Sequence, residues 1–90
     1  MMEYRWQYTT HASRDLTLLD RQTARIIAKK IRFYCTTPDP FAFAKPLSGT
    51  WKGLYRFRIG DYRVIFRKEP SGSVVILLIL RVKHRREVYD

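Results

Sequence analysis

The sequence predicts an α+β domain with the order β-α-α-β-β-β, a small, mainly antiparallel sheet with two helices packed on one face. Three observations predict it. Residues 54–66 alternate with period two on both sides of Gly60-Asp61, the pattern of a β-hairpin with a tight two-residue turn. Apolar residues recur three and four apart over residues 21–35, as on one face of a helix. Residues 73–80 run apolar on both faces, as a central strand does.

In chain order, Tyr4-Arg5-Trp6-Gln7-Tyr8 alternates aromatic and polar and reads as a first strand. Thr9 or Thr10 caps a short helix whose apolar side is Ala12, Leu16 and Leu19, ending near Asp20. Asp20 is the N-cap of the second helix. That helix turns Ala24, Ile27, Ala28, Ile31, Tyr34 and Cys35 to the sheet and Arg25, Lys29 and Arg32 to solvent. Thr36-Thr37-Pro38-Asp39-Pro40 ends it, because proline lacks the amide donor and restricts the residue before it. Residues 36–53 are expected to be one long connection, packed down by Phe41, Phe43, Leu47 and Trp51, with residues 45–49 as the turn entering the sheet.

In the hairpin, a Gly60-Asp61 turn sets Ile59 opposite Tyr62, Arg58 opposite Arg63 and Phe57 opposite Val64. One face then carries Tyr55, Phe57, Ile59, Tyr62, Val64 and Phe66. The other carries Arg56, Arg58, Arg63 and Arg67. Arginines facing each other repel, a cost that a bound polyanion would offset. Glu69-Pro70-Ser71-Gly72 has the residues of the next turn. In the strand after it, Val75, Leu77 and Ile79 are expected beside the arginine face, covered by the tail, the long loop or another chain. Residues 81–90 are expected to be a short basic tail.

Ninety residues suit one domain, spanning 1–90, with a modest core. The net charge is +10. Residues 1–44 hold seven basic and four acidic groups, and residues 45–90 hold eleven and four, so the excess lies on the strands and tail. That balance favours nucleic acid, an anionic membrane or an acidic protein as partner. No apolar run is long enough to span a bilayer. The opening residues alternate and do not form a signal peptide. A single cysteine, Cys35, precludes an internal disulfide and is expected to be a buried small residue. A reduced, cytoplasmic protein without membrane contact is the expectation.

Several chemistries lack their residues. The four glycines are isolated, so no phosphate loop is present, and one Cys with two distant His makes no metal site. Carboxylates are not clustered in pairs. What remains is Arg56, Arg58 and Arg63 on one face, with His84, Arg85 and Tyr89 brought to the end of the adjacent strand. Arginine forks hold phosphate oxygens and stabilise charge in a phosphoryl transition state. RNA carries its own nucleophile, the 2′-hydroxyl, so cleavage needs only a base, charge stabilisation and a proton for the leaving oxygen. An aromatic such as Tyr89 could alternatively stack on a base. Simple nucleic-acid binding and RNA cleavage both fit these residues. Lys52, Arg67, Arg81, Lys83 and Arg86 are further expected RNA contacts, although Arg81 could instead pair with Asp61 and Arg86 could be a solvated tail charge. His11 reads as structural or solvated, and Trp6 and Trp51 as core or loop anchors.

Lys45-Pro46-Leu47-Ser48-Gly49, the hairpin 54–66 with its Gly60-Asp61-Tyr62-Arg63 turn, and His84-Arg85-Arg86-Glu87-Val88-Tyr89 together resemble the RelE/ParE toxin superfamily, specifically its RelE branch. The resemblance covers most of the chain. It implies a type II toxin that cuts mRNA in the ribosomal A site without a cofactor. The partners it implies are mRNA on the ribosome, with 16S rRNA contacts, and a cognate antitoxin that wraps the toxin. It assigns Arg56 and Arg58 to two basic positions of the second strand and Arg63 to phosphate binding. It assigns Arg85 to the leaving group and Tyr89 to substrate orientation. The best-studied pattern has lysines where this chain has Arg56 and Arg58. Arginine stays protonated, so the general base falls to His84, whose residue type titrates near neutrality, or to Tyr89. The rivals are the ParE branch, which inhibits DNA gyrase and whose members generally lack the terminal tyrosine, and an inactive module that only binds RNA or antitoxin.

Overall fold

A computed structural model describes residues 2–88. Five strands form one sheet: β1 (Glu3–Tyr8), β2 (Ala44–Pro46), β3 (Leu54–Ile59), β4 (Tyr62–Ser71) and β5 (Val74–His84), in the spatial order β1-β5-β4-β3-β2. β1 runs parallel to β5, and every other pair is antiparallel. The helices α1 (Thr10–Thr17) and α2 (Arg21–Thr36) cover one face.

The helix starts follow capping chemistry. Thr9 accepts a hydrogen bond from the Ala12 amide at 3.1 Å and Asp20 from the Thr23 amide at 3.4 Å, each satisfying a donor that the first turn leaves over. α2 buries Ile27, Ile31, Tyr34 and Cys35 and exposes Arg25, Lys29 and Arg32, as its periodicity predicts. Burial pushes the Cys35 thiol up to about 11, so it stays protonated and packs as a small apolar group. No helix of the described residues is long and apolar enough to cross a membrane.

The hairpin has the predicted register, with Ile59↔Tyr62, Arg58↔Arg63 and Phe57↔Val64. Gly60 has φ +58° and no described non-glycine residue has a positive φ, which fits a type II′ turn. Phe57, Ile59, Val64 and Phe66 enter the core under the helices, with Tyr55 and Tyr62 at its margin.

The connection 36–53 departs from expectation. It holds a 3₁₀ turn at Pro40–Phe43, the strand β2, and a second 3₁₀ turn at Gly49–Trp51. Lys45 and Pro46 are therefore strand rather than turn, and β2 is an edge strand, where proline is tolerated. Leu47 is buried as expected, and Phe43, though partly exposed, stacks on Tyr34 of α2 with ring centroids 4.6 Å apart, whereas Trp51 is exposed and is no core anchor. The turn after β4 is also later than predicted. Pro70 still pairs with Val75, and the chain reverses around Gly72, φ +62°. Proline fits there because β3 pairs with β4 only as far as Arg67, leaving that flank of β4 without a neighbour.

Two further expectations are corrected. Residues 81–84 are not a tail but the end of β5. Val75, Leu77 and Ile79 do not lie beside the arginines. They are buried in the helix-side core, and Val74, Ile76, Leu78 and Leu80 are the half-buried residues of the strand. The helices pack on the face that holds Phe66, and Phe66 pairs with Ile79. Between Ile65 and Phe66 the register shifts, since Ile65 faces Arg81, so Leu80 is an extra residue.

β5 outruns β1 at this bulge, and α1 covers the exposed edge. The Thr9 hydroxyl donates to the Leu80 carbonyl at 3.1 Å, and Asp15 accepts from the Val82 amide at 2.9 Å. Asp15 also accepts from Arg81 through Nε at 2.8 Å and Nη2 at 3.0 Å. Arg81 thus pairs with Asp15 and not with Asp61. Burial pushes the Asp15 carboxyl up, but the Arg81 guanidinium, the Val82 amide and the nearby Lys83 charge outweigh it and hold the group below the usual carboxylate range.

Candidate functional site

Strand alternation places Lys45 of β2, Arg56 and Arg58 of β3, and Arg63 of β4 on the helix-free face, because Lys45 pairs with Arg56 and Arg58 with Arg63. Lys45 was missed from the sequence because residues 45–49 read as a turn. Its signal was the X-Pro extended dipeptide ahead of a strand. Arg67 continues the row opposite Leu54, farther from the turn, with its guanidinium 3.3 Å from Glu69.

The Arg58–Arg63 apposition is eased by the hydrogen bonds that Arg63 makes to the turn. Arg63 is only 5% exposed. Its Nη1 donates to the Gly60 carbonyl at 3.2 Å and the Tyr62 carbonyl at 3.0 Å. The guanidinium therefore braces the turn, while Arg58 remains exposed on the surface.

After β5 the chain crosses the sheet end in one 3₁₀ turn, Arg85–Glu87. The Arg85 amide donates to the Asp61 carbonyl at 2.7 Å, and its Nε lies 3.7 Å from the Asp61 carboxylate. Arg85 is thereby held at the hairpin turn, at the arginine end of the sheet. Val88 then packs with Leu47, Ile65 and Leu54 on the helix-free face, where Ile65 is the partner of Arg56. Tyr89 lies outside the described residues.

His84 does not join the arginines. It pairs with Tyr62, on the helix side of the sheet, with ring centroids 5.4 Å apart in an edge-to-face contact. It lines a recess of about 350 Å³ with Asp15, Leu18, Leu19, Tyr62, Lys83 and Glu87. Its Nδ1 accepts from the Arg86 amide at 3.2 Å and from Arg86 Nε at 3.3 Å. A neutral imidazole accepting at Nδ1 carries its proton on Nε2 and has no second lone pair to offer as a base. The bulge explains the misplacement, since one extra residue exchanges the faces of everything after it.

The remaining expected contacts scatter. Arg81 is tied to Asp15, Lys83 lies 3.7 Å from Glu87, and Arg86 folds onto His84. Lys52 is exposed after the second 3₁₀ turn. The residues that the structure brings together are Lys45, Arg56, Arg58, Arg63 and Arg85.

Residues 7–89 match the family model described as ParE toxin of type II toxin-antitoxin system, parDE. The chain is 34% identical over 90 residues to Toxin RelG of Mycobacterium tuberculosis, with 98% of each chain covered. Among solved structures it is similar to a chain of the toxin-antitoxin complex RelBE2 from Mycobacterium tuberculosis, at TM-score 0.73 and 30% identity, covering 93% of this chain and 100% of that one. It is also similar to a chain of the archaeal RelE-RelB complex from Pyrococcus horikoshii, at TM-score 0.68 and 29% identity, covering 97% and 100%.

Proposed function

The chain belongs to the RelE/ParE superfamily of type II toxin–antitoxin toxins, and from that premise we propose that it is an endoribonuclease that cuts mRNA in the ribosomal A site. One observation carries the reading: Lys45, Arg56, Arg58, Arg63 and Arg85 gather at one end of the helix-free face. Such a cluster suits a phosphodiester whose charge grows in the transition state.

In this reading the exposed Arg58 and Arg85 grip the scissile phosphate from two sides. Arg56 and Arg63 add fixed positive charge at its base. The RNA 2′-oxygen attacks phosphorus, and the O2′–P bond forms as the P–O5′ bond breaks. The products are a 2′,3′-cyclic phosphate and a 5′-hydroxyl. One proton leaves the 2′-hydroxyl and one reaches O5′. Arginine remains protonated and His84 is turned away with Nδ1 engaged. We assign the base role to Tyr89, which takes the 2′-hydroxyl proton, and the charge on the leaving oxygen to Arg85, while water supplies the proton that O5′ gains.

A cognate antitoxin is the proposed partner, as in the toxin-antitoxin complexes among the similar structures. Contacts to 16S rRNA through Lys52, Arg67 and Arg86 belong to the same proposal. Gyrase inhibition is the second reading, favoured by the ParE description of the matching family model. Controlled expression with mapping of mRNA 5′ ends, alongside a gyrase supercoiling assay, separates the two. Codon-phased cleavage supports the nuclease. Inhibited supercoiling with intact mRNA replaces it with the second reading.

A further inference from the structure

The sequence His84-Arg85-Arg86-Glu87 has the layout of a capping box, with histidine where serine or threonine is usual. The geometry matches. His84 has φ −67° and ψ 146°, the extended backbone of an N-cap. Its Nδ1 accepts from the Arg86 amide, and the Glu87 carboxylate accepts from the His84 amide at 3.2 Å. The turn so closed does three things. It sets the Arg85 amide on the Asp61 carbonyl at 2.7 Å, lets the Val88 amide reach the Arg85 carbonyl at 3.3 Å, and delivers Val88 to Ile65 and Leu47 across the sheet.

A histidine cap differs from a serine cap in one respect. The cap acceptor is a lone pair that a proton can occupy, and histidine gains that proton between pH 8 and 5. An imidazolium donates at both nitrogens and accepts at neither. The charged groups around the ring are Asp15 from α1, Arg81 and Lys83 on β5, and Arg86 and Glu87 on the turn, with Tyr62 of β4 against the ring. Asp15 is already engaged by Arg81, and Glu87 by the His84 amide and Lys83. The nearest charge to Nδ1 is the Arg86 guanidinium, at 3.3 Å, which repels a protonated ring.

We propose that His84 is a positioning residue that works as a pH-sensitive latch. Its neutral imidazole holds the turn that places Arg85 and Val88 at the arginine face, and protonation releases that turn. The latch itself is independent of RNA cleavage. Its effect on activity rests on the reading above.

Amide hydrogen exchange on the purified protein, corrected for intrinsic rates, tests the latch in wild type, His84→Asn and His84→Ala. Asparagine is a good N-cap that does not titrate. In wild type, protection of the Arg86 and Val88 amides should fall about fivefold between pH 8 and 5, the worth of an ordinary cap. It should stay level in His84→Asn and be low throughout in His84→Ala, with melting transitions confirming that all three are folded. Level wild-type protection while the imidazole C–H signals titrate would overturn the proposal, as would His84→Asn following the wild-type profile. In mRNA cleavage, His84→Asn should keep wild-type rates at pH 8 and lose the fall at acid pH. His84→Asn as inactive as His84→Ala would mean that His84 handles a proton itself, which also overturns positioning. If wild type cuts no mRNA, the nuclease reading fails, and the exchange experiment still decides the latch.

Discussion

The arginines of the candidate site are unequal as side chains. Arg58 and Arg85 are exposed, while Arg63 is buried beneath the turn with Nη1 on two carbonyls. Arg58→Ala is expected to lower mRNA cleavage about a hundredfold, the usual effect of losing one transition-state donor, with the melting temperature almost unchanged. Arg63→Ala should lower both, costing about 2–3 kcal/mol of stability because the turn carbonyls lose charged donors. At about 4–8 °C per kcal/mol for a domain of this size, the melt should drop by roughly 10 °C or more. An unshifted melt for Arg63→Ala would contradict the bracing role. Tyr89→Phe should remove cleavage and leave the melt alone if Tyr89 supplies the base.

Among the elements, the hairpin turn and the α1–β5 junction hold the site in place. Gly60 sits at φ +58° with no atom near the position of an added Cβ, so Gly60→Ala has room but the wrong backbone preference. It should cost about 1–2 kcal/mol, readable in a denaturant titration. At the junction, Asp15 is nearly buried, with 12% side-chain exposure, and bonds Arg81 and the Val82 amide, whereas Arg81 keeps 38% exposure and part of its hydration. Asp15→Asn should therefore cost about 1–3 kcal/mol at neutral pH, between an exposed and a buried pair. The sign of its pH dependence follows from the lowered pKa. The Asp15 contribution is complete above the ordinary Asp value near about 3.9 and is lost as pH falls through the lower folded value. The two proteins should thus converge in stability in strong acid. A gap that persisted there would assign the effect to packing.

On the scale of the whole molecule, the charge of +10 is spread over two surfaces. The arginine face and the outer face of α2, with Arg25, Lys29 and Arg32, lie on opposite sides of the sheet. If Arg56, Arg58, Arg63 and Arg85 neutralise four phosphates of single-stranded RNA, affinity should fall about fiftyfold between 50 and 200 mM salt. Fluorescence anisotropy with a short RNA measures this slope. Removing Arg58 should flatten the slope by about one contact. Charge reversal at Arg25 should leave it unchanged if the two surfaces are independent.

By itself the sequence determined the local structure. Helix caps at Thr9 and Asp20, the α2 periodicity and the Gly60-Asp61 register are set by interactions between residues close in the chain, and these are readable from spacing and residue type. It also placed Arg56, Arg58 and Arg63 on one face, because alternation along a strand is strict. Tertiary structure decided what depends on distant partners. β2 is a strand only because β3 offers it an edge, and Arg81 meets Asp15 only because α1 crosses the unpaired end of β5. The bulge at Leu80 decided the most, because strand parity carries no memory across an inserted residue. It lets Val75, Leu77 and Ile79 before it and Val82 and His84 after it share the helix side, where unbroken alternation would set the two groups on opposite faces.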